Sequence, residues 1–134
     1  MTTPAPDPGE LPALSDAQLE VMHAVWAAPE VTVTDVWAAL VARRPVARNT
    51  VLTVMDRLAG KGWLTRRSEG SAHVYAAAVP RAAALGAAVR RLVDGAFAGS
   101  AEGLVLALLD GRGVTDEEAE RIRALIAASR EGKS

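Results

Sequence analysis

The sequence predicts a mainly α protein with one small β-hairpin, in which three helices and the hairpin form a first module and a helical region follows. Three observations carry this reading. Apolar residues recur at helical spacing in three successive stretches between Leu14 and Gly60. Two short runs, Trp63 to Arg67 and Ala72 to Ala76, flank the polar turn Ser68-Glu69-Gly70-Ser71. From Pro80 onward the composition shifts, and capping and breaking signals divide the remainder into three helical stretches.

Residues 1 to 13 hold four prolines and little to bury, so a disordered leader is expected there. Ser15 with Gln18 makes a capping box, and Leu14 with Leu19 stands at the spacing of a hydrophobic staple. The first helix then runs to about Ala28, burying Leu19, Met22, Val25 and Trp26, and Pro29 stops it. Glu30 to Val33 is short and β-branched, and suits a one-bridge strand beside the later hairpin. Thr32, with Asp35 three residues on, caps a second helix that buries Val33, Val36, Trp37, Leu40 and Val41 and closes at Pro45. A third helix, about Arg48 to Gly60, buries Val51, Val54, Met55 and Leu58 and turns Asn49, Thr50, Thr53, Asp56 and Arg57 the other way. Three helices followed by a two-stranded hairpin is the winged helix-turn-helix order, giving a first domain over residues 14 to 79.

A helical region is expected over residues 80 to 131. Its first helix carries the apolar positions Leu85, Val89, Leu92, Val93, Ala96 and Phe97, and Gly99-Ser100 breaks it. The next segment, Leu104 to Leu109, is apolar on every side, Val105 and Leu108 included. After the turn at Gly111-Arg112-Gly113, Thr115 with Glu118 makes another capping box, opening a helix that buries Ala119, Ile122, Leu125 and Ile126. A helix apolar all round must bury that surface, and a two-fold partner is the favoured cover. The residues expected to hold the dimer are therefore Leu85, Val89, Leu92, Val93, Phe97, Leu104, Val105, Leu108, Leu109, Ile122, Leu125 and Ile126.

At 134 residues the chain is one ordinary domain or two small modules. Without cysteine it has no disulfide, thiol nucleophile or cysteine-based metal site. No signal peptide and no apolar run long enough to cross a membrane is present, so a soluble cytoplasmic protein is expected, associated with the nucleoid if it binds DNA. Catalysis finds no support. His23 and His73 have no carboxylate at metal-ligand spacing, Gly60-Lys61-Gly62 ends a helix where a phosphate loop would open one, and Asp116-Glu117-Glu118 is a helix start. No metal or cofactor is expected.

Charge singles out one stretch. Residues 43 to 75 hold seven of the fifteen Lys and Arg, namely Arg43, Arg44, Arg48, Arg57, Lys61, Arg66 and Arg67, against Asp56 and Glu69. The first 42 residues carry six acids and no Lys or Arg, and residues 76 to 134 carry eight of each sign. A near-neutral chain that gathers its cations on a helix and a hairpin offers that surface to a polyanion. Asn49, Thr50 and Thr53 are short enough to let the third helix lie deep in a major groove, with Asn49 suited to an adenine edge and the Thr53 methyl to thymine. Arg48 and Arg57 flank them, Arg66 and Arg67 bracket the backbone from the hairpin, and His73 and Tyr75 share a hairpin face within reach of a phosphate. Structural alternatives stand beside these. Thr50 also suits a helix-start hydroxyl, His73 a solvated histidine, Tyr75 a hairpin anchor, and Asp56 a partner for an arginine of the same chain. A protein-interaction module meeting an acidic surface is the alternative to double-stranded DNA, and a ligand-sensing regulator is a weaker third reading.

The segments LSDAQLEVMHAVW, VTVTDVWAAL, RNTVLTVMDRLAGKGWLTRR and AHVYA, in this order, resemble the penicillinase-repressor family (BlaI/MecI/CopY-type), in a match that runs from about Leu14 to Arg130. The most specific part is T-V-x-T-x-x-x-R-L-x-x-K-G-x-L, from Thr50 to Leu64, while LVLALLD and VTDEEAERIRALI resemble the family's dimerisation helices less specifically. The resemblance implies a homodimeric winged-helix repressor bound to a dyad operator in DNA. It matches Thr50, Thr53 and Arg57 to recognition-helix residues and His73 and Tyr75 to the wing motif. It also implies release through a membrane sensor protease and cleavage in the dimerisation region, where this chain has Ala107-Leu108 in place of the family's Asn-Phe. Three further departures are the lack of the copper-responsive members' cysteines, Ala47 in place of a capping Ser, and Leu52 in place of Arg.

Overall fold

Side-chain caps decide where the helices begin. In a computed structural model, which describes residues 6–132, the element order is α1 (Asp16–Trp26), α2 (Val33–Val41), α3 (Arg48–Lys61), β1 (Leu64–Glu69), β2 (Ala72–Ala77), α4 (Arg81–Gly95), α5 (Ala101–Gly111) and α6 (Asp116–Glu131). Both capping boxes of the first module form. The Gln18 amide donates to Ser15 Oγ at 3.2 Å and the Ser15 amide to Gln18 Oε1 at 2.9 Å. The Thr32 amide likewise donates to Asp35 Oδ2 at 2.9 Å, and the Asp35 amide to Thr32 Oγ1 at 3.1 Å. At α6 only half of the expected box is present. Thr115 Oγ1 accepts from the Glu118 amide, but the Glu118 carboxylate takes Arg112 Nη1 at 3.4 Å. α3 starts at Ala47 with no side-chain cap.

Two compact units result, one running to Arg90 and the other beginning at Arg91. The first buries Val21, Met22 and Val25 of α1, Val33, Val36 and Leu40 of α2, and Val51, Met55 and Leu58 of α3 against Val31, Trp63, Leu64, Tyr75, Val79 and Ala84. Because Ala84 belongs to this core, the first turn of α4 goes with the winged module. Leu19, Trp26, Trp37 and Val54 are half-buried where burial is expected, and Val41 at the end of α2 is exposed.

All three indoles stitch loops to this core. Trp26 Nε1 donates to the Val79 carbonyl at 2.9 Å, Trp37 Nε1 to Val46 at 2.8 Å and Trp63 Nε1 to Pro12 at 3.0 Å. An indole packed in or against an apolar core needs an acceptor for its N–H, and a loop carbonyl needs a donor, so each pair settles both demands. The bond to Pro12 corrects the expectation of a disordered leader through residue 13. Asp7 to Leu11 form a turn, Leu11 packs against the core, and the Pro12 carbonyl takes the indole N–H of Trp63. Residues 1–5 of that leader lie outside the described residues.

β1 and β2 pair antiparallel from Leu64↔Ala77 to Glu69↔Ala72. The strands run further than the sequence suggests, because the turn is only Gly70-Ser71 and Gly70 takes φ 62°, the left-handed value that two-residue hairpin turns demand. The expected one-bridge strand also forms. Val31 and Tyr75 exchange backbone hydrogen bonds at 2.9 and 2.8 Å.

In the second unit α5 and α6 bury no residue. α4 ends on the left-handed pair Ala98 (φ 49°) and Gly99 (φ 86°), after which Ser100 Oγ accepts from the Gly103 amide and opens α5.

Restoring the missing cap of α3 tests the local argument. Ala47→Ser should add about 1 kcal/mol of stability, seen as a higher urea midpoint at unchanged slope. An unmoved midpoint would mean that the α3 amides gain nothing from a cap.

Candidate nucleic-acid interface

α3 presents two faces. Val51, Met55 and Leu58 are buried, while Asn49, Thr50, Thr53, Asp56 and Arg57 are exposed. The buried residues recur at i, i+4 and i+7, which turns the polar set outward as one surface. Its N-terminal end is tied down twice. Arg48 Nε donates to Thr34 Oγ1 of α2 at 3.1 Å, and Trp37 holds the preceding turn through the Val46 carbonyl. Thr53 Oγ1 donates to the Asn49 carbonyl at 3.0 Å, so its hydroxyl faces a ligand as an acceptor and its methyl remains an apolar contact. Leu52 is half-buried and packs at the margin of the core.

The hairpin is fixed to α3 through one carboxylate. Asp56 Oδ1 accepts from Tyr75 Oη at 2.6 Å and from Arg66 Nη1 at 3.2 Å. Arg66 and Tyr75 are direct partners in the ladder, so their side chains project from the same face of the hairpin, and that face meets α3. Asp56 thus takes the arginine partner that its position on a basic surface suggests.

This geometry corrects the reading of Tyr75 as a DNA contact. Tyr75 is 0% exposed, and its hydroxyl is engaged with Asp56. Burial and the adjacent carboxylate both push the phenol above its ordinary pKa. It is the hairpin anchor. His73, two residues earlier on the same strand, is exposed, with Nδ1 3.5 Å from Ser68 Oγ across the ladder.

Arg67 is held more completely than Arg66. Its Nε and Nη2 bind Glu30 at 2.8 and 3.0 Å, and its Nη1 binds Glu69 at 2.7 Å. Hydrogen bonding to Arg67 lowers the Glu30 pKa and, reciprocally, raises that of Arg67. Glu30 is a residue that sequence reasoning missed. The signal was there: a strand at Val31 pairing with Tyr75 brings the preceding acid beside the basic strand.

Pairing redistributes the positive charge. Arg44 is bound to Glu20, Arg66 to Asp56, and Arg67 to Glu30 and Glu69. Arg43, Arg48, Arg57 and Lys61 make no ion pair among the described residues. Two of the six acids of the first 42 residues, Glu20 and Glu30, therefore fold back onto the basic stretch, and the cations that make no ion pair among the described residues lie on α3 and in the turn before it.

The apolar residues expected to hold a dimer fall in both units. In the first, Val89 is exposed and Leu85 half-buried; in the second, Leu92, Val105, Leu108, Leu109, Ile122, Leu125 and Ile126 are exposed, while Val93, Phe97 and Leu104 are half-buried. Leu106, 53% exposed, belongs with them and was missing from the sequence-based set. Ala107 and Leu108 sit in the middle of α5, both exposed. Among the described residues no cluster of His, Cys, Asp and Glu could hold a metal ion, and no helix is long and apolar enough to cross a membrane.

Comparison with known proteins bears on the family of the chain. The family model described as "Penicillinase repressor" matches residues 14–128. A penicillinase repressor of Bacillus licheniformis is 24% identical over 117 residues, covering 87% of this chain and 91% of the relative. A transcriptional regulator BlaI of Mycobacterium tuberculosis is 41% identical over 68 residues, about half of each chain (50% and 49%). The solution structure of the DNA-binding domain of the repressor BlaI aligns at 30% identity and a TM-score of 0.50, covering 55% of this chain and 90% of that one.

The Glu30–Arg67 ion pair makes stability depend on pH. The folded-state pKa of Glu30 lies below its ordinary value of 4.5, so the contribution is fully present above that value and is lost as pH falls below it. Urea midpoints of wild type and Glu30→Gln should differ at neutral pH and converge in acid. Midpoints that differ equally at all pH values would mean that the charge on Glu30 adds nothing.

Proposed function

This chain belongs to the penicillinase-repressor family, whose members are DNA-binding transcriptional repressors and not enzymes, and from that premise we propose that it represses as a homodimer bound to a dyad operator. The observation that carries the reading is the outward face of α3, where Asn49, Thr50 and Thr53 stand beside Arg57, which makes no ion pair among the described residues. Short polar side chains between cations are what a helix needs to lie in a major groove, reading base edges while gripping phosphates. In this reading Asn49, Thr50 and Thr53 face the bases, and Arg48 and Arg57 reach phosphate or guanine. Arg66 and His73 meet the backbone from the wing. Arg67 joins them only by exchanging Glu30 or Glu69 for a phosphate. The likeness to a solved DNA-binding domain over the same module supports this assignment.

The dimer reading draws on apolar surface. Leu106, Leu125 and Ile126 are 53%, 69% and 55% exposed on a unit whose α5 and α6 bury nothing. Full burial of such a side chain from full exposure is worth roughly 1.5–3 kcal/mol, of which the still-exposed half or more is open to gain here, and a second copy supplies the same surface in return. Release by a signal acting on this region completes the function. Because Ala107-Leu108 lies in mid-helix, α5 must unwind locally before a protease can bind that bond in extended form.

Two experiments test the reading. Binding to duplex DNA should weaken steeply as salt rises, and replacing Arg66 and Arg67 by Gln should weaken it for all sequences and lower the salt slope. Thr53→Ala should instead change the preference at one base pair by roughly 1–3 kcal/mol; a uniform loss across base-pair variants would remove Thr53 from the base-reading set. The dimer is tested by light scattering. The full chain should weigh twice its sequence mass, and a chain ended after Arg90 should be a monomer. A dimer surviving that truncation would put the interface on the winged module.

A further inference from the structure

An acid on the groove-facing surface of a DNA-reading helix is a liability. Asp56 follows Asn49 and Thr53 at i+7 and i+3, on the same exposed face, and as a bare carboxylate it would repel phosphate. Its surroundings give it a different task. Oδ1 accepts from Tyr75 Oη at 2.6 Å and from Arg66 Nη1 at 3.2 Å. Tyr75 is itself wholly buried and bridged through its backbone to Val31 in both directions. One oxygen therefore links α3, the buried core and the outer strand of the hairpin. The guanidinium of Arg66 keeps further N–H donors when Nη1 is given to Asp56, so the held arginine can still bind a phosphate. Arg67 offers a contrast, since all three of its nitrogens are occupied by Glu30 and Glu69.

We propose that Asp56 is a positioning residue for DNA binding: anchored by Tyr75, it sets the reach of Arg66 from α3, so that the wing cation meets a phosphate while α3 lies in the groove. The proposal rests on the DNA-binding reading above and adds to it a residue that touches no nucleotide. It also inverts the expected sign of a charge change. Removing an acid from a DNA-facing surface strengthens binding by simple electrostatics, whereas loss of a positioning group weakens it.

The test measures binding of the full-length chain to a labelled duplex of mixed sequence across a salt series. Wild type, Asp56→Asn, Arg66→Gln, the double variant and Tyr75→Phe are compared, with circular dichroism to confirm folding. Asp56→Asn should bind about fivefold more weakly near physiological salt, with a salt slope lower by about one, the value of one lost phosphate contact. Arg66→Gln should do the same, Asp56→Asn should add no further loss in the Arg66→Gln background, and Tyr75→Phe should shift binding in the same direction. Asp56→Asn binding as tightly as wild type or more tightly, at an unchanged slope, overturns the proposal, as does an undiminished loss in the Arg66→Gln background. Wild type that shows no salt-dependent DNA binding fails the reading beneath it, before any variant is compared, and takes the proposal with it.

Discussion

The placement of the hairpin on the three-helix core depends on Tyr75. Its backbone pairs with Val31 ahead of α2, its ring fills the core at 0% exposure, and its hydroxyl ends on Asp56 of α3. A buried phenol without a partner would cost roughly 1–3 kcal/mol. The sequence can place the ring inside only because α3 brings a carboxylate to the edge of the core. That same carboxylate takes Arg66 from the opposing strand. The placement of the wing against α3 is thus set by hydrogen bonds through Asp56, and in the proposed DNA-binding reading that placement brings the wing cation beside the groove-facing helix.

Around this hub the tryptophans repeat one device. Each indole takes a carbonyl from a segment with no regular structure: Pro12 before α1, Val46 between α2 and α3, and Val79 after β2. Backbone groups that would otherwise be unpaired at the edge of the core are satisfied there, and the connecting loops are pulled inward. With so few aromatics and much alanine, the module concentrates its large side chains where segments must be joined.

Much of this was legible in the residues. Ser15 with Gln18 and Thr32 with Asp35 are local signals, and local signals locate helix starts without knowledge of the rest of the chain. The bridge at Val31, the order of three helices and hairpin, and the polar face of α3 followed from periodicity and turn chemistry. Partners distant in sequence were harder to see. The Pro12 carbonyl accepting from Trp63 and Glu30 pairing with Arg67 depend on tertiary contacts, and composition alone made the leader look free and the wing look unpaired. Tyr75 shows the same limit. Alternation along β2 places it on one face with His73, but only the packing of α3 decides that Tyr75 is inside and His73 outside. At the candidate site, the polar residues of α3 were readable and the state of the wing cations was not.

Selection of bound duplexes from a random DNA library at near-physiological salt tests the central claim most directly. A dimer reading one groove with each α3 predicts enrichment of a two-fold-symmetric site, its half-sites about one helical turn (10–10.5 base pairs) or a multiple of it apart. Binding that enriches no motif and vanishes as salt rises would contradict it, leaving an electrostatic grip with no sequence read by Asn49, Thr50 and Thr53.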